Sequence, residues 1–254
     1  MTTSPAQPDP ALDPHARGHG DTGSATPDTR RRLLEAAGEI FADMGFAGAT
    51  IRDISARAGT NIAAINYHFR DKETLYAETL RYAHCYALEH YPHHGNLAAG
   101  AAPEARLRAF VRSFLEKTLD ATRPTWHGRL ISREMIEPTP ALDMLVREGI
   151  RPQYAELCAL VAELGPGLTE KQVQACAGSV IGQALHYFHC RALITRLFES
   201  GDAFPFSIDE LTEHVTAFSL AAISGMSSSS RTGAALPASK APVAHGSPRQ
   251  RGRR

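Results

Sequence analysis

Between Thr50 and Lys72 the chain reads TIRDISARAGTNIAAINYHFRDK, and this stretch holds the side chains best suited to grip a nucleic acid. Thr60, Asn61, Ala63, Ala64, Asn66, Tyr67 and His68 are expected on the outward side of one short helix. Small residues there permit close approach to base edges, while the hydroxyls, amides and imidazole offer donors and acceptors. Arg52 and Lys72 flank this face at helix starts, where free backbone N–H groups also favour phosphate. The same helix lacks Arg and Gln, so base readout is expected to rest on Asn, backbone positioning and DNA shape. An ordinary polar surface on a small helical cap is the other reading these residue types allow.

Two further constellations lie downstream. Trp126, His127, Arg129, Met135 and His186 are candidate walls of an effector pocket. The neighbouring Arg129, Arg133, Glu134 and Glu137 fit solvent-facing ion pairs at helical spacing equally well. His186, His189 and Cys190 stand at i, i+3 and i+4, a spacing that can present three metal ligands on one face. A polar ring between packed helices explains them as well, and no metal site is assigned; His84, His90, His93 and His94 form a second histidine group. Oxidation sensing by Cys158, Cys176 or Cys190 would lack a vicinal pair. No phosphate loop, nucleophile elbow or HExxH helix is present, so neither an enzyme nor a cofactor is expected.

A helical scaffold must position these groups, and apolar spacing supplies one. Leu33, Leu34, Ala37, Ile40, Phe41 and Met44 recur at helical intervals and predict a first helix with an inward stripe. Thr26-Pro27-Asp28 opens that helix, and Gly45 closes it in left-handed geometry. Thr50 to Asp53 begins a short second helix, with Asp53 where a capping-box acid sits. Ala58-Gly59-Thr60-Asn61 breaks it, and a third helix runs from Ile62 to about Phe69. Ile51, Ile54, Ala58, Ile62, Ile65 and Phe69 are expected to clamp this helix-turn-helix onto the first helix.

A longer helix reaches from 71 to about 91 and is the expected link from head to body. Others are expected near 103–122, 125–136, 140–164, 169–198 and 207–225, with Pro152 kinking or dividing the 140–164 segment. Nothing reads as a strand, so the chain is all-α with about nine helices. Val173, Ala177, Val180, Ala184, Leu185 and Phe188 form stripes expected to build a four-helix interface between two copies.

Composition sets the remaining bounds. Lys plus Arg and Asp plus Glu both total 27, but net charge runs −2 over residues 1–25, zero over 26–75, −4 over 76–226 and +6 over 227–254. Placement of charge, not its total, therefore decides about DNA. Residues 1–25 and 227–254 carry too little apolar surface to offset ordering and are expected to be disordered tails. The RQRGRR end is either solvated or an arm adding phosphate contacts. No apolar run spans a membrane, the start MTTSPAQPDP lacks signal-peptide character, and four scattered cysteines do not make a disulfide scaffold. A cytoplasmic protein is expected.

The run TIRDISARAGTNIAAINYHFRDKETLY, with Gly45 before it, resembles the DNA-binding domain of TetR-type transcriptional regulators across about residues 26–76. By that resemblance Arg52, Asn61, Ala63, Asn66, Tyr67, His68 and Lys72 occupy positions that commonly touch DNA, Tyr67 and His68 at the phosphate backbone. Asn61, Ala63, Ala64 and Asn66 are the candidate base readers. LISREMIEPTPALDMLVREGIRPQYAELCALVAEL resembles the C-terminal domain of the CecR and CerR subfamily, some members of which repress multidrug efflux genes. The resemblances imply a homodimeric repressor of palindromic double-stranded operator DNA, released by a small-molecule effector. They place the DNA-binding head in 26–75 and the effector and dimerisation part in 76–226. The alternative is a helical effector- or metal-binding sensor whose head does not touch DNA.

Overall fold

The computed structural model of the chain describes residues 27–231 apart from 96, 120–125, 200 and 202. The expected tails 1–25 and 227–254 lie outside these residues, except that 227–231 continue the last helix. The regular secondary structure of the described residues is all helical, with no strand.

Helix α1 (Pro27–Gly48) buries Leu33, Leu34, Ala37 and Phe41 and bends at Gly45, whose φ of 73° breaks the helix one turn before its end. Met44 was expected inward but is 50% exposed, because it sits at this bend, past the end of the buried stripe. Helices α2 (Ile51–Arg57), α3 (Ile62–Phe69) and α4 (Lys72–His90) complete the head. Ile54, Ala58, Ile65 and Phe69 are buried as the spacing required, whereas Ile62 is 47% exposed. Ile62 opens an eight-residue helix, and its first turn projects beyond the residues that α1 covers.

Helices α5 (Pro103–Leu119), α6 (Trp126–Ile136) and α7 (Ala141–Met144) follow. A π-helical turn, Leu145–Ile150, then leads into α8 (Arg151–Leu164). The expected kink or division at Pro152 takes the form of this change from π-helical turn to α8, with Pro152 in the first turn of α8. Proline has no N–H to donate and crowds the carbonyl four residues back, so the preceding turn widens to accommodate it. The expected 169–198 helix is divided at Cys190 into α9 (Glu170–His189) and α10 (Arg191–Leu197). Helix α11 (Ile208–Arg231) closes the order.

Two apolar cores organise the body. One joins α1 to α4 with Trp126 and Leu130 of α6 and Leu145, so it runs well past residue 75. The other joins α5, α8, α9 and α11 through Leu107, Leu115, Leu157, Val161, Val180 and Val215. Val173, Ala177, Val180 and Ala184, expected between two copies, instead fill this second core at 8% exposure or less. Phe188 and Leu185 are half-buried beside a cavity. A helical stripe specifies which residues share a face but not which neighbour meets that face.

Candidate functional site

Short-range capping builds the head. Thr50 Oγ1 accepts the N–H of Asp53 at 3.1 Å and donates to its carboxylate at 2.6 Å. Asn61 Oδ1 accepts the N–H of Ala64 at 2.9 Å and so starts α3. Asp71 Oδ1 accepts the N–H of Thr74 at 2.7 Å to start α4, and hydrogen bonds from Thr74 hold that carboxyl below its ordinary range. Between α2 and α3, Arg32 Nη2 donates to the carbonyls of Ala58 at 2.6 Å and Gly59 at 3.1 Å. Gly59 has φ 62°, a conformation glycine adopts without strain, so the joint is pinned from α1 while its backbone stays in left-handed geometry.

Arg52, Asn61, Ala63, Asn66 and Tyr67 are exposed, Tyr67 at 75%. Because Asn61 spends its carbonyl oxygen on the cap, its NH2 is what remains for an outside contact. Four expected outward residues are half-buried instead. Ala64 packs against the first core, Lys72 Nζ lies 4.7 Å over the Phe46 ring, and His68 meets Tyr67 edge-on at 5.2 Å. His68 Nε2 and Thr60 Oγ1 are enclosed without a hydrogen-bond partner among the described residues. The reason is geometric: α3 is flanked by both α2 and α4, which leaves only a narrow strip facing outward. Ile62, expected inward, and Arg70, given no DNA role by its residue type alone, extend that strip. Ile62 offers an exposed apolar contact suited to a thymine methyl. Arg70 stands between α3 and α4 at φ 65° with its side chain 89% exposed, and its position between Tyr67 and Lys72 was a signal for a phosphate contact.

Behind the head, α4, α5, α6, α8 and α9 enclose a cavity of ≈ 180 Å3. Phe114, Ile131, Met135, Ile150, Leu185 and Phe188 make most of its wall apolar, and His84, Lys117 and Gln153 supply a polar end. Gly149 in the π-helical turn faces His84, and a Cβ there would lie 2.7 Å from the imidazole Nε2. Two more open clefts of ≈ 250 and ≈ 240 Å3 border the loop between α4 and α5, and neither is lined by α6.

Of the expected pocket residues, His127 and Met135 line the cavity; Trp126, Arg129 and His186 do not. Trp126 is 4% exposed and lies on the backbone of α1 at Gly38. Arg129 pairs with Asp43 of α1 at 2.8 Å. His186 is exposed on α9 and packs edge-on to Tyr187. Helix α6 therefore has two working faces: His127, Gly128, Ile131, Ser132 and Met135 toward the cavity, Trp126, Arg129, Leu130, Arg133 and Glu134 toward the head.

Glu134 is neither pocket wall nor surface. It is fully buried, accepts the Tyr76 hydroxyl at 2.7 Å, and accepts Thr139 N–H and Oγ1–H at 2.8 and 2.9 Å. Burial, then Glu134 itself, pushes the Tyr76 phenol far above its ordinary range. Arg133 Nη1 donates to the carbonyls of Ala42 and Asp43, both at 3.3 Å, placing a cation at the end of the regular part of α1. The expected Arg133–Glu137 surface pair is present at 3.2 Å.

Among the described residues no group of three or more His, Cys, Asp or Glu side chains is placed to hold a metal ion. His189 and Ser132 Oγ are 3.4 Å apart, and Cys190 ends α9. No helix among these residues is long and apolar enough to cross a membrane.

Residues 33–79 match the bacterial regulatory proteins of the tetR family, and residues 103–223 match the C-terminal domain of the HTH-type transcriptional dual regulator CecR. CecR of Shigella flexneri is 32% identical over 143 residues, which is 52% of this chain and 63% of that protein. The HTH-type transcriptional regulator BetI of Yersinia pestis (strain Pestoides F) is 30% identical over 158 residues, 61% of this chain and 77% of that protein. In fold, a transcriptional regulator from Saccharomonospora viridis, solved in complex with choline, superposes with a TM-score of 0.53 at 21% identity, covering 76% of this chain and 96% of that one.

Proposed function

Since this chain belongs to the TetR family of bacterial regulatory proteins and carries a CecR-like C-terminal domain, we propose that it is a dimeric repressor released from a palindromic operator by a small molecule. The DNA-binding part is the head in 26–75, and effector binding and dimerisation belong to 76–226. The observation that carries this reading is the pair of two-faced helices. Helices α4 and α6 each line the cavity on one side and hold the head core on the other. A ligand that favours one packing of α6 against α4 also favours one tilt of the head, and weakens operator binding by the same coupling energy, about 1–3 kcal/mol.

Two heads must reach successive major grooves about 34–36 Å apart, which requires a second copy. The unpartnered faces of α9 and α11 suit that contact. Gly178, Gly182 and Gly225 meet nothing within 4 Å, and Phe218 is 59% exposed. Ala222→Arg, on the exposed side of α11, is expected to give a monomer and to weaken operator binding about a hundredfold as the second head's contribution is lost. Sedimentation and gel-shift titration check it; a dimer that still binds operator refutes this interface.

Footprinting on DNA flanking its own gene tests the function itself, and a protected palindrome is the expected result. The sensor reading predicts none. Tyr67→Ala and Lys72→Ala should weaken binding to every duplex, with the salt slope falling by about one for Lys72. Asn61→Ala and Asn66→Ala should instead blur discrimination between operators; uniform weakening there refutes their role as base readers. Efflux or drug-resistance genes are the first targets to test, given the CecR-like half.

A further inference from the structure

Among the described residues the polar end of the cavity carries charge of one sign only. Lys117 of α5 lies with Nζ 3.2 Å from His93 Nδ1 and 3.4 Å from its Nε2. His84 Nε2 stands 2.8 Å from Gln153 Nε2. Among the described residues no Asp or Glu lines this cavity and no carboxylate pairs with Lys117. Burial lowers the Lys117 ammonium to about 8, so it is mostly charged at pH 7. Burial first, and then this same cation, depress both His84 and His93, the latter to about 4, which leaves them neutral. A half-buried cation that meets no carboxylate among the described residues is costly, and an incoming anion relieves that cost. A cationic ligand would add to it.

Size narrows the ligand further. A cavity of about 150 Å3 admits benzene, so ≈ 180 Å3 holds one ring with a short substituent. Phe114, Ile131 and Phe188 provide the apolar wall for that ring.

We infer that the cavity takes a small organic acid, with its compact apolar body against Phe114, Ile131 and Phe188 and its carboxylate accepting from Lys117 Nζ. This rests on the reading of the cavity as the effector site, and goes beyond it by fixing the ligand's charge and size.

Three probes of one shape test it: benzoate, neutral benzamide and cationic benzylammonium. Each is titrated into the full chain without DNA and followed by calorimetry and by fluorescence of Trp126. That residue is the chain's single tryptophan and stacks at 3.8 Å on His127 of the cavity wall. Benzoate is expected to bind about tenfold or more tightly than benzamide, the ratio a charge-assisted hydrogen bond supplies, and benzylammonium more weakly than either. Lys117→Met should abolish the preference for benzoate over benzamide, and Lys117→Arg should retain it. Equal binding of benzamide, tighter binding of benzylammonium, no binding by any probe, or a preference that survives in Lys117→Met each overturns the inference. Operator release is measured separately. Benzoate that binds through Lys117 without releasing DNA refutes the effector response and leaves the ligand class standing; release by neutral ligands alone does the reverse.

Discussion

Gly38→Ala is expected to destabilise the protein by about 3 kcal/mol, near the top of the usual range for overpacking a core. Gly38 lies in the middle of α1, where a glycine ordinarily lowers helix stability and alanine raises it by up to about 1 kcal/mol. Here the sign reverses, because a methyl at this position would overlap the six-membered ring of Trp126. That ring cannot retreat freely: it is 4% exposed and stacked on His127, with Tyr82 nearly parallel at 6.4 Å. Urea denaturation of the purified variant measures the loss. Trp126→Leu in the Gly38→Ala background should recover part of it by vacating the space, and a double-mutant cycle reports the coupling. A Gly38→Ala protein as stable as the parent refutes this close approach. The same contact joins head to body, so the variant is also expected to respond less to effector at equal occupancy.

Lys117→Met should have the opposite effect, stabilising the ligand-free protein by about 3 kcal/mol at pH 7. In the unfolded chain this lysine titrates at its ordinary 10.5, and in the folded protein at about 8. A gap of that size corresponds to about 3 kcal/mol. Between those values the unfolded chain holds more protons than the folded one, so folding of the parent becomes more favourable as pH rises. The cost is fully present below pH 8 and vanishes above about 10.5. Methionine removes it, so the advantage of Lys117→Met should be largest at pH 7 and shrink steadily towards pH 10. Tyr76, Cys158 and Cys176, whose ionisation burial also opposes, are common to both proteins and cancel in the difference. A variant less stable than the parent at pH 7, or a difference flat with pH, refutes the penalty. Retaining a destabilising lysine in a cavity wall is consistent with its having a ligand to meet.

Much of the head was legible because its signals are local. Thr50, Asn61 and Asp71 each cap a helix by accepting an N–H three residues ahead, and Gly59 sets the joint through its own φ. Such contacts depend only on residues a turn apart, so spacing along the chain reports them. Exposure was less legible where a helix outruns its partner. Ile62 and Met44 carry the right residue type at the right period, but each sits at a helix end or bend beyond the packed stretch.

The chain's apolar periodicity, caps and breakers, taken alone, determined an all-helical protein with a helix-turn-helix head and a helical body. What α6 does was decided only in three dimensions. Trp126 and Arg129 read as pocket walls, and Glu134 as surface, yet all three hold the head, through Gly38, Asp43 and Tyr76, partners 58 to 88 residues away. A helix of period 3.6 fixes the angles between its side chains, whereas the neighbour standing at each angle is set by how distant segments pack. The charge of the cavity has the same origin: Lys117, His93 and His84 come from separate turns and helices, and the proposal of an anionic ligand rests on their convergence with no carboxylate among the described residues.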